Sequence, residues 1–357
     1  MKELNNRINA FIELGKQLHK LNNTSNQASR YKTEKDSLKN AVIIAGQKNP
    51  WFTLTNINFA IKSISYMLNE DSIRKLVNQH SSILKENLNS PKTIAVIMPG
   101  NIPLAGFQDF FHVLLSGNKI LAKLSADDDV LLPAISQLLI AIEPEFSSTI
   151  IFEKNKIENF DAVIVTGSNN TSRYFEYYFR KYPNIIRKNR NSIAILDGDE
   201  DEKTLLKLTD DVFLYFGMGC RSVSKLYVPK NYDFKNLLDA FKSYSHLSEH
   251  HKYMNNYKYY KSIFLIDNHN FIDGGFFLLI NSADINNPVS ILNYECYDDK
   301  KEIIESLKLN AAQIQCIVGN SIDELELVPF GKSQMPEIYD FADNINTLEF
   351  LYSITKI

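Results

Sequence analysis

Hydrophobic positions along this chain change their period twice. From about residue 3 to residue 86 they recur at helical spacing. Leu4, Ile8, Phe11, Ile12 and Leu18 form one stripe, and Ile57, Ala60, Ile61, Ile64 and Leu68 form another, three or four residues apart as an α-helical face requires. The polar run Asn22–Asn26 reads as a break between helices. Short continuous apolar runs then take over at Thr93–Met98, Lys119–Leu124, Thr149–Phe152, Asp161–Val165 and Ser192–Leu196. Helical segments from about Leu104 to Leu115, Val130 to Ile142 and 169 to 182 separate them. Apolar strands without polar alternation, interleaved with helices, predict a parallel sheet covered on both faces. After the acidic stretch near 197–202 the alternation restarts. It predicts strands at 223–228, 262–266, 276–280, 289–294 and 313–318 and helices near 233–247 and 299–309. The expectation is an α/β protein with two domains: residues 1–197, including the helical N-terminal segment, and residues 198–357, ending in a C-terminal tail. The series Tyr174, Phe175, Tyr178, Phe179 and Tyr182 falls on one predicted helix and reads as core packing.

The length, 357 residues with 44% hydrophobic, is ample for two cores. A net charge of −3 leaves no basic excess for nucleic acid, and no block of like charges marks an interaction tail. Asp127–Asp129 and Asp197–Asp201 read as helix starts. The N-terminus is a polar amphipathic helix without an apolar signal core, and no apolar run approaches the ~20 residues that span a bilayer. The expected location is the cytoplasm. There the three cysteines, Cys220, Cys296 and Cys316, would be reduced thiols. No Cys or His spacing suggests zinc, and the adjacent His250 and His251 point apart in any regular structure.

Chemistry concentrates at four loops. Cys220 lies in Phe216-Gly217-Met218-Gly219-Cys220-Arg221-Ser222, ahead of a predicted strand and just after the expected domain boundary. Glycines permit unusual backbone conformations and close approach of a ligand, and Arg221 would favour the thiolate. The bland alternative is a small buried hydrophobe. Met98-Pro99-Gly100-Asn101-Ile102-Pro103 joins a strand to a helix, where ligands bind open parallel sheets. Asn101, held between prolines, either donates to a developing oxyanion or caps the helix. Lys123 ends the next strand, in Leu121-Ala122-Lys123-Leu124-Ser125-Ala126. It either bonds a sugar hydroxyl or phosphate, or snorkels to solvent. Val165-Thr166-Gly167-Ser168-Asn169-Asn170 passes from strand to helix, a place where exposed N–H groups bind anions.

Taken in order, these four loops resemble the aldehyde dehydrogenase superfamily. The Cys220 loop, the segment Pro329-Phe330-Gly331-Lys332-Ser333-Gln334-Met335-Pro336 and Tyr339–Asp343 are similar to its LuxC-like branch of long-chain acyl-CoA reductases. The likeness covers roughly residues 90–350. It implies a Rossmann-type cofactor domain and a second α/β catalytic domain, with Cys220 as the nucleophile that forms a thioester. It also implies an oxyanion hole built from Asn101 and the Cys220 N–H. Lys123 would lie at the adenosine ribose, Ser125 would also contact the cofactor, Thr166, Gly167 and Ser168 would lie beside the pyrophosphate, and Asp284, four residues before Pro288, at the nicotinamide ribose.

Two departures shape the expected reaction. The superfamily's water-activating Glu has no counterpart in Lys188-Asn189-Arg190-Asn191-Ser192. That favours reduction of the thioester over its hydrolysis. Ala126 stands where NAD-preferring relatives place an acid, which favours NADPH. The resemblance therefore implies NADPH-dependent reduction of long-chain acyl-CoA, or an acyl-protein thioester, to fatty aldehyde. Homo-oligomers are compatible with it. A reductase of another activated acyl group and a non-catalytic interaction subunit are the alternatives.

Overall fold

The uninterrupted apolar runs of the first half become strands buried on both faces. In the computed structural model the described residues are 2–21, 30–86, 91–167, 169–320, 322 and 324–356. The predicted break at Asn22–Asn26 lies outside them. The chain forms two compact units, Met1–Asn189 with Met335–Ile357, and Arg190–Gln334.

The first unit opens with the predicted helices, α1 (Lys2–His19), α2 (Lys32–Lys48), α3 (Leu54–Met67), α4 (Glu70–Gln79) and α5 (Ser81–Glu86). Its sheet contains β1 (Thr93–Ile97), β2 (Lys119–Lys123), β3 (Ile150–Phe152), β4 (Ala162–Thr166) and β5 (Asn184–Arg187). The strands lie in the order β3-β2-β1-β4-β5, and all pairs are parallel. Between them run α6 (Phe107–Leu115), α7 (Leu131–Ile142) and α8 (Asn169–Phe179). The order reverses between β1 and β4, so the loops after these strands diverge at their carboxyl ends and leave a crevice for a ligand.

The second unit carries a six-stranded sheet in the order β11-β6-β7-β10-β9-β8. Its strands are β6 (Asn191–Ile195), β7 (Val223–Pro229), β8 (Ile272–Asp273), β9 (Leu278–Asn281), β10 (Ile291–Tyr297) and β11 (Ile314–Val318). Only the β8–β9 pair is antiparallel. Its longer helices are α9 (Glu202–Phe213), α10 (Lys235–Phe241), α11 (His251–Ile266) and α12 (Lys300–Leu309).

Several expectations are corrected. The units divide at 189/190 rather than 197/198, because β6 pairs with β7 and β11 instead of closing the first sheet. The C-terminal tail belongs to the first unit. There α13 (Thr347–Ile354) buries Leu348, Leu351 and Ile354, and Arg187 Nη2 donates to Thr347 Oγ1 at 3.2 Å. Arg187 also forms a buried fork with Asp109 of α6. The predicted strand 262–266 is the last part of α11, whose N-terminus is capped by His250 Nδ1 accepting the Tyr253 N–H at 3.2 Å. Tyr253 and Tyr257, one turn apart, anchor that helix, and tertiary packing overrides the β-branched, aromatic bias of its end. Among the described side chains of α8, Phe175 and Phe179 pack against the sheet. Tyr174 and Tyr178 are exposed, at 67% and 68%. No described helix is long and apolar enough to cross a membrane.

Candidate active site

In the second unit, the segment before Cys220 is held in an uncommon backbone conformation. Tyr215, Phe216 and Gly217 have φ of 54°, 60° and 73°. Glycine adopts this left-handed region freely, whereas two consecutive aromatic residues there cost roughly 1–3 kcal/mol each. Burial of both aromatic side chains supplies the compensation, and Phe216 packs against the tilted ring of His250 with centroids 4.4 Å apart. The chain then turns, with the Met218 N–H bonded to Tyr215 O at 3.1 Å and the Ser222 N–H to Gly219 O at 2.9 Å. Cys220 emerges exposed at this turn.

Three side chains hold the turn in place. Ser192 Oγ, fully buried on β6, donates to Cys220 O at 3.0 Å. Gln334 Nε2 donates to Ser222 Oγ at 3.1 Å. Arg221 Nε donates to Ser333 O at 2.6 Å. The guanidinium expected to favour a thiolate thus also ties the Cys220 loop to the segment Pro329–Gln334. Asp211 on α9 anchors the same segment, its carboxylate accepting the N–H groups of Gly331 at 2.6 Å and Ser333 at 3.0 Å. Gly331 has φ +78°, which explains glycine there. Sequence reading did not single out Ser192 or Asp211; a lone buried Ser or Asp carries no pattern. A small cavity of about 20 Å³ lined by Val212, Phe213, Phe216, Tyr253, Asn287 and Ser290 borders Gly217.

Burial pushes the Asp211 carboxyl up to about 6, against the lowering effect of the Gly331 and Ser333 bonds. A carboxyl raised on folding favours the folded state most below its unfolded pKa, and that contribution is lost as pH rises through the folded one. Asp211→Ala should therefore destabilise the protein, with a deficit greater at pH 4 than at pH 7 by up to about 3 kcal/mol. Thermal denaturation of both proteins across that window checks this.

Asp284 is exposed on the loop before β10. That loop is bonded to the strand following Cys220: Ser224 Oγ donates to Ile285 O at 2.7 Å, and buried Lys225 Nζ to Ala283 O at 2.7 Å. Lys225 also pairs with Glu295 at 2.5 Å.

In the first unit, the predicted residues gather at the carboxyl ends of neighbouring strands. Asn101 is exposed on the loop after β1, and Lys123 ends β2, in register with Ile97. Gly100 sits so close to Ser125 that a Cβ would come within 2.4 Å of its Oγ, which explains the glycine. Lys123 Nζ donates to Asn155 O at 2.8 Å; an ammonium has two further protons for a ligand. Thr166 ends β4 beside β1, and the Gly167 N–H bonds Arg187 O at 3.3 Å. Ser168 lies outside the described residues. The start of α8, the Lys123 ammonium and the reversal of strand order form a donor set that fits a dinucleotide.

The acidic cluster after Ala126 does not start α7 as expected. Asp128 is buried and accepts the Leu104 N–H at 2.7 Å, and Asp129 pairs with Lys48 at 2.5 Å. Asp201 does cap α9, accepting the Thr204 N–H at 2.8 Å.

Residues 67–244 match the acyl-CoA reductase (LuxC) family. No curated protein matches the chain. Among solved structures it is similar to aldehyde dehydrogenase 21 from Physcomitrella patens, determined with the reaction product succinate. The identity is 13% over 93% of this chain and 82% of that one, with a TM-score of 0.59. It is also similar to an aldehyde dehydrogenase from Bacillus cereus in an NAD+ complex, at 12% identity over 91% and 73% of the chains and a TM-score of 0.56. An indole-3-acetaldehyde dehydrogenase, also with NAD+, is similar at 14% identity over 89% and 76%, with a TM-score of 0.59.

Proposed function

We propose that this chain, whose residues 67–244 match the acyl-CoA reductase (LuxC) family and whose fold is similar to that of aldehyde dehydrogenases, reduces long-chain acyl thioesters to aldehydes with NADPH, through an acyl group carried on Cys220. The observation that carries this reading is the Cys220 loop, an exposed thiol on a turn fixed by a left-handed backbone run and by side-chain bonds to Cys220 O and Ser222 Oγ. The Cys220 thiolate attacks the thioester carbonyl carbon, forming an S–C bond. The negative charge that develops on the carbonyl oxygen is met by the Asn101 amide and the Cys220 N–H. Collapse breaks the C–S bond to the donor, which leaves as a thiolate. NADPH, when bound, would supply a hydride to the acyl carbon. The second collapse returns the Cys220 thiolate and releases aldehyde. Lys123, Ser125, Thr166, Gly167, Ser168 and Asp284 would hold the dinucleotide.

One feature supports the choice of cofactor. Ala126 is exposed, and of the three following acids Asp128 is buried and Asp129 is paired with Lys48. That leaves less carboxylate to oppose a 2′-phosphate. The test is NADPH and NADH oxidation across an acyl-CoA chain-length series. Faster turnover with NADPH and a preference for long chains are expected. Preference for NADH would reverse the cofactor assignment, and activity confined to acyl phosphates or short chains would move the substrate to another activated acyl group.

A further inference from the structure

We propose that Asp128 is the positioning residue for Asn101, fixing the loop that presents its amide. The inference rests on the reading above, in which Asn101 meets the developing oxyanion. The Asn101 loop is clamped on either side of that residue. Before it, Gly100 packs on Ser125, where a Cβ would clash at 2.4 Å with Oγ and 2.6 Å with Cβ. After it, the Leu104 N–H donates to Asp128 Oδ2 at 2.7 Å. Leu104 follows Pro103 and has φ +60°, so the chain there is held in a conformation that L-residues rarely adopt. Asp128 is itself placed by its own N–H bond to Ser125 O at 3.1 Å, which joins both clamps into one unit.

A buried carboxylate is an expensive way to accept one N–H. Asp128 is 7% exposed, and its Oδ1 has no hydrogen-bond partner among the described residues. An unpaired buried acceptor persists where something outweighs its cost, and here the gain is a fixed loop. The charged groups around it are few. Asp127 and Asp129 flank it, and Lys48 from α2 reaches Asp129 rather than Asp128. Asn49 Nδ2 donates to Asp127 O at 3.4 Å, and the Asn101 loop itself, residues 98–106, brings no titratable side chain. Desolvation pushes the Asp128 carboxyl up to about 7, the Leu104 bond opposing and Asp129 adding to it. Ionised Asp128 accepts the Leu104 N–H more strongly than the neutral acid.

The test is a double-mutant cycle on acyl-CoA reduction. Asn101→Ala should lower kcat by about 10²–10³-fold. Asp128→Val, which removes the acceptor, should lower kcat by about 10- to 100-fold and leave KM and NADPH affinity unchanged. Combined with Asn101→Ala it should add little, because a positioning residue has nothing left to position. Asp128→Asn keeps an acceptor and should stay within about threefold of wild type, while losing a modest rise in kcat near pH 7. Additive effects, or a loss confined to KM, would overturn the inference. If Asp128→Val fails to fold, the pH step decides, and its persistence in Asp128→Asn is equally fatal. Acylation of Cys220, followed by mass spectrometry, separates the two levels. No acylation in wild type sinks the reading of Asn101 and this inference with it, whereas acylation with an additive cycle sinks this inference alone.

Discussion

Cys220→Ala should abolish aldehyde formation and leave no acyl adduct on the protein. The expected loss is about 10⁴–10⁶-fold in kcat, the range seen when a covalent nucleophile is removed and only binding and the oxyanion hole remain. The fold should survive, since Cys220 is exposed and the bonds that shape its turn use its backbone and its neighbours. Cys296→Ala is the matched control; it too is exposed, on β10, and should retain full activity. Intact-protein mass spectrometry after incubation with acyl-CoA gives the adduct directly. Turnover at even a hundredth of wild type in Cys220→Ala would place the nucleophile elsewhere.

The acyl-enzyme should outlast water and yield to reduction. With acyl-CoA alone, free acid should be released at least about 10²-fold more slowly than aldehyde is formed once NADPH is added, because a positioned general base contributes about 10²–10⁴-fold to such a hydrolysis. The stretch that carries this base in the wider superfamily is here Lys188-Asn189-Arg190-Asn191-Ser192, without a carboxylate. Its members have other tasks: Lys188 pairs with Glu176 at 2.9 Å, Arg190 donates to Ile314 O at 3.3 Å, and Ser192 holds the Cys220 carbonyl. Of the remaining candidates, Glu295 is tied to Lys225 and Glu249 is exposed at the end of a short 3-10 helix. Rapid acid release without NADPH, or efficient NADP-dependent oxidation of aldehyde to acid, would show that one of these carboxylates, or another, acts as base. Glu249→Gln and Glu295→Gln would then identify it.

Much of the first unit was legible from its pattern. The runs at 93–98, 119–124 and 161–165 became β1, β2 and β4 within a residue or two, since a strand buried on both faces admits few polar positions. β5 was missed because Asn184–Arg187 is short and ends in a charge, and that charge is buried only because Asp109 and Thr347 meet it. The end of α11 was misread as a strand because the bias of Ile263–Ile266 outweighed the capping signal at His250. The tyrosines of α8 read as core, but a helix lying on one sheet has room for only one face, and Phe175 and Phe179 occupy it.

By itself, the amino-acid sequence determined the alternating α/β architecture, the loops after β1, β2 and β4 and the turn bearing Cys220, because these depend on local periods and on residues with special backbone freedom. Tertiary structure alone decided where β6 pairs, which unit receives the tail, and which buried groups brace the loops. Ser192, Asp211 and Asp128 lie 28, 9 and 27 positions from the cysteine or asparagine whose loops they support. Hydrogen bonds such as Leu104 N–H to Asp128 and Ser192 Oγ to Cys220 O join residues with no periodic relation. Their partners are chosen by how strands and loops pack, and a single sequence carries no local signal of that choice.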